Sequence, residues 1–161
     1  MLQNIKVLDS ARVPVVKFTV PGPNTHVDVT INNLLPLRNT ALITAYRAID
    51  PRVRDFIVIV KHWAKARHIA DAYLNTLSPY AWVLMCIFIA QKAGLVPVLH
   101  REDPKDVDEE VEVAGKVWEC KFNTDVARHA AAARSHWIST GGLLTMFFDY
   151  FATRCGAPSL K

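Results

Sequence analysis

His26-Val27-Asp28-Val29-Thr30-Ile31-Asn32-Asn33 decides the fold. Polar and apolar side chains alternate up to Ile31. This predicts a strand over Thr25–Ile31, with His26, Asp28 and Thr30 on one face and Val27, Val29 and Ile31 on the other. The alternation stops at the two asparagines, and beyond Asn33 the chain becomes mainly helical. The fold class expected is therefore α+β, with residues 1–33 as the end of a sheet and residues 34–161 as a mostly helical domain.

Upstream, the β-branched run Arg12-Val13-Pro14-Val15-Val16-Lys17-Phe18-Thr19-Val20 predicts a second strand, with Pro14 at an edge or near its start. Pro21-Gly22-Pro23-Asn24 is a turn, and Leu2–Leu8 is a candidate third strand. Downstream, a first helix starts between Asn33 and Asn39 and runs to about Ile49. Asp50 as N-cap and Pro51 at the first helical position open a second, which continues through Arg67 and buries Val53, Phe56, Ile57, Val60 and Trp63. Ser78-Pro79 opens a third in the same way, running to about Ala93. An acidic loop, a short strand at Lys116–Phe122 and a helix at Ala127–Arg134 follow. Thr140-Gly141-Gly142 then leads into a helix over Leu143–Arg154, and the chain has no internal repeat.

Bulk properties narrow the function classes. At 161 residues and 51% hydrophobic composition the chain supports a real core and is not disordered. The apolar run Tyr80–Ala90 falls short of the roughly 20 residues that span a bilayer, so no membrane partner is expected. The first residues show no signal-peptide pattern. Cys86, Cys120 and Cys155 are odd in number and far apart, which argues against a disulfide framework or structural zinc and for an intracellular, reducing compartment. The cytoplasm is the first choice, with nucleus and mitochondrion as alternatives. Residues 101–112 hold seven acids against Arg101 and Lys105, and the rest of the chain has 17 basic and 8 acidic residues. A basic body suits a polyanion such as nucleotide or RNA, although many basic domains bind neither.

Candidate chemistry begins with Asp28, a carboxylate between valines. Left unpaired in a strand it would be costly, and a Mg²⁺ held by one or two carboxylates plus substrate phosphates would offset that cost. Taken alone, Asp28 reads as a hydrogen-bonded or solvent-facing strand aspartate, and His26 as its neighbour. Lys61 and Lys65 are one turn apart on a helix, roughly 5–6 Å at Cβ, a spacing that lets two ammonium groups grip one triphosphate. A solvated basic face explains such a pair as well, but Lys61 follows the apolar run Phe56–Val60, a more enclosed setting. Ser78 is an N-cap whose helix start also offers amides and a positive dipole end to a phosphate. Tyr80 offers a ring face to a base, or is core. Asn33, Asn39 and Thr40 fit capping and ribose or base contacts equally.

The order of these features carries more than any one of them. Ala11-Arg12-Val13-Pro14-Val15-Val16-Lys17-Phe18, Val27-Asp28-Val29, Asn39-Thr40 and Asp50-Pro51-Arg52-Val53-Arg54 follow one another along the chain. Val60-Lys61-His62-Trp63-Ala64-Lys65 and Leu77-Ser78-Pro79-Tyr80-Ala81 come next. Together they resemble the noncanonical poly(A) polymerase and terminal uridylyltransferase family. Ser139-Thr140-Gly141-Gly142-Leu143-Leu144-Thr145-Met146-Phe147-Phe148 resembles the start of that family's poly(A)-polymerase-associated segment. The resemblance covers most of the chain and is weakest over 95–135.

The resemblance implies a nucleotidyltransferase palm with three metal-binding carboxylates, a helical central domain, and nucleotide bound between the two. By motif, Asp28 matches the third carboxylate, catalytic and metal-binding. Asn33 and Thr40 match residues near ribose and base, and Asn39 borders the base pocket. Lys61 and Lys65 match triphosphate contacts, Ser78 lies at the same helix start, and Tyr80 matches the base-stacking aromatic. It implies Mg²⁺ or Mn²⁺ as cofactor, UTP or ATP as nucleotide and an RNA 3′ end as acceptor. The expected chemistry is template-independent addition of UMP or AMP to RNA. The family's Gly-Ser turn and paired acids have no counterpart before Arg12, and Pro79 replaces a serine common in the family. The chain is therefore expected to be part of a transferase and inactive alone. The alternative is a catalytically inactive homologue acting as an RNA- or protein-binding module.

Overall fold

A computed structural model describes residues 1–11, 13–100, 110–113 and 115–154, with Ala132, Arg134, Ser135 and Arg154 described by backbone alone. The expectations placed on Arg12, on most of the acidic loop and on Cys155 lie outside the described residues. The fold is α+β.

Three antiparallel strands, β1 (Gln3–Leu8), β2 (Val15–Val20) and β3 (Thr25–Thr30), form a sheet in sequence order. The expected third strand is thus present, while β2 begins at Val15, just past Pro14, whose missing N–H cannot join the ladder. The turn between β2 and β3 uses left-handed backbone at Gly22 (φ +97°) and Asn24 (φ +51°), the two residue types that tolerate it best. Its four residues set the register Val20 opposite Thr25 and Lys17 opposite Asp28.

A second hairpin pairs β4 (Glu110–Val113) with β5 (Lys116–Glu119). The sequence reading assigned Glu110 and Glu112 to an acidic loop. In the structure Val111 and Val113 are buried while the glutamates face solvent, a period-two pattern hidden under a high charge count. The strand β5 stops at Glu119, before Phe122.

The helices follow local capping closely. α1 spans Leu35–Ile49 and α2 Pro51–Ala66, with Asp50 as N-cap accepting a hydrogen bond from Arg52 N. A 3₁₀ turn at Ala72–Leu74, not anticipated, precedes α3 (Pro79–Lys92), which Ser78 caps. α4 covers Ala127–Ser135 and α5 Thr140–Arg154. α5 starts a turn earlier than Leu143 because Ser139 Oγ accepts from Gly142 N at 3.1 Å, which caps a helix whose first turn contains both glycines. A Cβ on Gly142 would come within 3.0 Å of the Ile138 side chain.

The chain divides into two compact units. One holds Met1–Leu42 with β4 and β5; the other holds the chain from Ile43 through α3 and from Phe122 onward. In the second unit α2, α3 and α5 pack together. Val53, Phe56, Ile57 and Val60 are buried as expected; Trp63 is only half-buried, and Ala64 takes the fully enclosed position beside it. Phe56 meets Phe147 edge-on at 5.9 Å, and Trp63 meets Trp82 at 5.7 Å. Edge-to-face pairs of this kind add about 0.5–1.5 kcal/mol each beyond area burial. Tyr46, 1% exposed, accepts from Gln91 Nε2 at 2.8 Å and Leu99 N at 3.3 Å, so its hydroxyl is satisfied in the core. Cys86 and Cys120 are free thiols, and among the described residues no helix is long and apolar enough to cross a membrane.

Candidate functional site

In the helical unit, Lys61 and Lys65 stand on successive turns of α2 and are both exposed. Lys61 is not enclosed as the sequence suggested: Val60 beside it takes the core position, and the ammonium reaches solvent. Together with His62, Ala70, Pro79 and Trp82 the two lysines line a cavity of about 390 Å³. Its apolar wall is fixed in place. Trp82 is 7% exposed, its Nε1 donates to Ile69 O at 3.0 Å, and its ring abuts Trp63 at 84°. Two long cationic side chains over a rigid apolar wall have the chemistry to take an anion at this rim.

The start of α3 borders the same cavity through Pro79. Ser78 Oγ accepts from Ala81 N at 3.1 Å, so the serine acts as a cap. Of the amides that the sequence offered here, Pro79 has none and Ala81's is taken by Ser78. The positive end of the helix dipole remains. Tyr80 lies half-buried in that first turn and is not among the described residues lining the cavity.

The remaining candidates belong to the sheet unit. Asp28 is exposed, its side chain retaining 55% of its accessible surface, with Lys17 Nζ 3.1 Å from its Oδ2. The argument from an unpaired strand carboxylate therefore does not hold: the register of β2 and β3 supplies a cation. His26, on the same face, lies 3.2 Å from Thr19 Oγ1 through its Nδ1. These residues line a second cavity, of about 400 Å³. Asn33 is half-buried just ahead of α1. Asn39 and Thr40 lie within α1 and cap nothing; the Thr40 hydroxyl donates to Pro36 O one turn back at 2.8 Å. Among the described residues no three His, Cys, Asp or Glu side chains are grouped to hold a metal ion.

Sequence reading thus brought Lys61, Lys65 and the Ser78 helix start to one place, and missed Ala70 and Trp82 as the wall they share. It also missed Lys17. That partner was readable: Lys17 lies four residues before Pro21 and Asp28 four after Asn24, so a four-residue turn sets them opposite each other.

Residues 1–48 match the family model described as Poly(A) RNA polymerase, mitochondrial-like, central palm domain. Terminal uridylyltransferase cid1 of Schizosaccharomyces pombe is 30% identical over 152 residues, 91% of this chain and 36% of that protein. Human Terminal uridylyltransferase 7 is 40% identical over 100 residues, 61% of this chain and 7% of that protein. Poly(A) RNA polymerase GLD2 of Xenopus tropicalis is 30% identical over 149 residues, 88% and 26% of the two chains. The chain therefore spans about a third or less of each of these relatives. The Cid1 poly(U) polymerase structure with Mg 3′-dATP bound matches with a TM-score of 0.73 and 28% identity, covering 94% of this chain and 46% of that one. The structure of mtPAP in complex with GTP matches at 0.75 with 22% identity, over 94% and 33% of the two chains, a likeness of fold.

Proposed function

For a chain that belongs to the terminal uridylyltransferase and noncanonical poly(A) polymerase family, we propose a part in template-independent transfer of a nucleoside monophosphate from NTP to an RNA 3′ end. The strands of residues 1–33 serve as the end of the palm sheet of such an enzyme, and the helices of the second unit as the body of its central domain. The observation that carries the reading is the pairing of Lys61 with Lys65 on the rim of one cavity, beside the N-terminal end of α3.

The proposed roles follow from what each group can do. Lys61 and Lys65 take triphosphate oxygens as paired point charges; their exposure keeps them mobile until the phosphate arrives. Ser78 holds α3 so that its positive end points along the same rim. Tyr80 supplies a ring face for the base, and Asn33, Asn39 and Thr40 lie near base and ribose. With Pro79 in place of a hydroxyl-bearing residue, the lysines carry more of the phosphate grip.

Structures of relatives hold magnesium with nucleotide. Magnesium demands near-octahedral oxygen coordination, and one half-exposed carboxylate beside an ammonium does not make such a site. The residues described do not hold the ion by themselves. Asp28 fits as one contributor, with the other oxygens supplied by groups outside these residues.

Two measurements test the reading. Binding of a fluorescent NTP analogue to the 161-residue chain should weaken on Lys61→Ala or Lys65→Ala; unchanged affinity in both sinks the triphosphate assignment. Extension of a labelled RNA primer with UTP or ATP should be absent for the chain alone and present in a full-length parent, where Asp28→Ala abolishes it. Near-normal turnover of Asp28→Ala in that parent removes Asp28 from the chemistry.

A further inference from the structure

The turn that joins α4 to α5 holds a tryptophan in the open. Of the four tryptophans Trp137 alone is exposed, at 86%. Single exposed apolar side chains are ordinary on protein surfaces, so exposure by itself decides nothing. What sets Trp137 apart is the fixed backbone beneath it. Arg52 Nη1 donates to the carbonyls on both sides of it, to His136 O at 2.9 Å and to Ile138 O. Ile138 N donates to His136 Nδ1 at 3.2 Å, which closes the turn around residue 137. Ile138 is 2% exposed and anchors the chain in the core, and Ser139 caps α5 immediately after it.

The His136 ring lies nearly parallel to the indole, 5.8 Å away between centroids and at 19°, a stacked contact that braces it. A ring braced over a fixed backbone loses little freedom when a ligand arrives, which favours binding. The surrounding chain indicates the ligand. Residues 126–148 carry Arg128, His129, Arg134 and His136 and no aspartate or glutamate. Arg128 is exposed in the first turn of α4, the helix that leads into the turn. A basic, acid-free segment that ends in an open aromatic ring suits a ligand combining phosphates with flat bases, which is single-stranded nucleic acid. An apolar protein pocket would take the indole without any need for that charge.

We propose that Trp137 is a stacking platform for a base of the single-stranded RNA on which the parent enzyme acts. The choice of RNA rests on the nucleotidyl-transfer reading as well as on the charge of the segment. Trp137 is not among the described residues lining the lysine cavity, so it acts on RNA and leaves the nucleotide to Lys61 and Lys65. Every base has a face to stack, so the contact tolerates any RNA sequence.

The 161-residue chain serves for the test, with three probes: a fluorescein-labelled oligo(A) RNA, an abasic oligomer of the same length and a fluorescent ATP analogue. Trp137→Ala should weaken oligo(A) binding roughly five- to 150-fold, the worth of one stacked base. It should leave the abasic oligomer and the ATP analogue unchanged. Trp137→Phe should recover much of the loss and Trp137→Leu little, because leucine is apolar but has no π face. The log–log salt slope for oligo(A) should stay the same, since an indole releases no counterion. Circular dichroism establishes that each variant is folded. Equal oligo(A) affinity of folded Trp137→Ala and wild type overturns the proposal, and so does full recovery by Trp137→Leu. Sedimentation velocity tests a second copy of the chain as the occupant: a dimer lost in Trp137→Ala with RNA affinity intact overturns the RNA assignment. The two readings fail separately. Trp137-dependent RNA binding with no binding of the ATP analogue removes the nucleotide site alone. Lys61-dependent binding of the ATP analogue with no RNA response to Trp137 removes the stacking platform alone.

Discussion

Asp50 and Arg52 are two residues apart, and between them they tie the start of α2 to the segment linking α4 and α5. Asp50 Oδ1 accepts from both Arg52 N and Arg52 Nε at 2.8 Å, and Oδ2 accepts from Nη2 at 2.8 Å. The same guanidinium donates onward to the carbonyls of Ala133, His136 and Ile138. One carboxylate, 2% exposed, thus caps a helix and orients a cation that anchors a distant loop.

Removing that cation leaves a buried carboxylate and three carbonyls without it. Arg52→Ala is expected to cost about 3–5 kcal/mol, read as a fall in the urea midpoint. Arg52→Lys should recover little, because an ammonium cannot reproduce the planar fork. A loss under about 1 kcal/mol would mean the network is peripheral.

The same pair sets an acid dependence. Burial pushes the Asp50 carboxyl up, but its hydrogen bonds and ion pair with Arg52 outweigh this and hold it below its ordinary 3.8. A depressed carboxylate stabilises the fold above its unfolded-state value and loses that contribution as pH falls through the folded one. The stability gap between wild type and Asp50→Asn, which keeps a capping oxygen, should therefore be full near neutral pH and close below 3.8. A gap that does not change with pH would contradict the ion-pair account.

For nucleotide handling, Lys61→Ala in an active parent should raise KM for NTP, with hydrogen bonds to charged groups worth about 1.5–3 kcal/mol. Both lysines are exposed, so added salt should shrink the effect. Kinetic titration at low and moderate salt checks this, and an effect that grows with salt would point to a structural cause.

Tyr80→Ala should weaken UTP and ATP alike by roughly 1–3 kcal/mol and leave their ratio nearly unchanged, since any base offers a face for stacking. The half-buried position of Tyr80 makes Tyr80→Phe the necessary companion: it retains ring and packing. A changed UTP to ATP ratio in Tyr80→Ala would assign the residue to base discrimination instead.

Cys86 is fully enclosed in α3, and burial pushes its thiol up to about 12. It should resist alkylation at neutral pH until the protein unfolds, whereas half-exposed Cys120 should label in the native state. Mass spectrometry of iodoacetamide-treated protein distinguishes the two, and rapid native labelling of Cys86 would show that α3 opens readily.

Short-range chemistry was legible in the chain by itself. Asp50-Pro51 and Ser78-Pro79 announce helix starts because an N-cap acceptor and a proline at the first helical position act within one turn. The alternation over 25–30 gave β3 for the same reason of local periodicity, and the spacing of Lys61 and Lys65 placed both on one face of α2. Three things depended on residues far apart in sequence. β4 acquired its identity only by pairing with β5, against its own acidic composition. Trp82 and Ala70 became the wall beside the lysines because α3 packs on α2 and Trp82 Nε1 bonds to Ile69 O, next to Ala70. Asp28 changed from a costly lone acid to a solvated, paired one when β2 put Lys17 opposite it. Capping and periodicity are set by neighbours a few residues away, whereas burial and charge pairing exist only once distant segments meet.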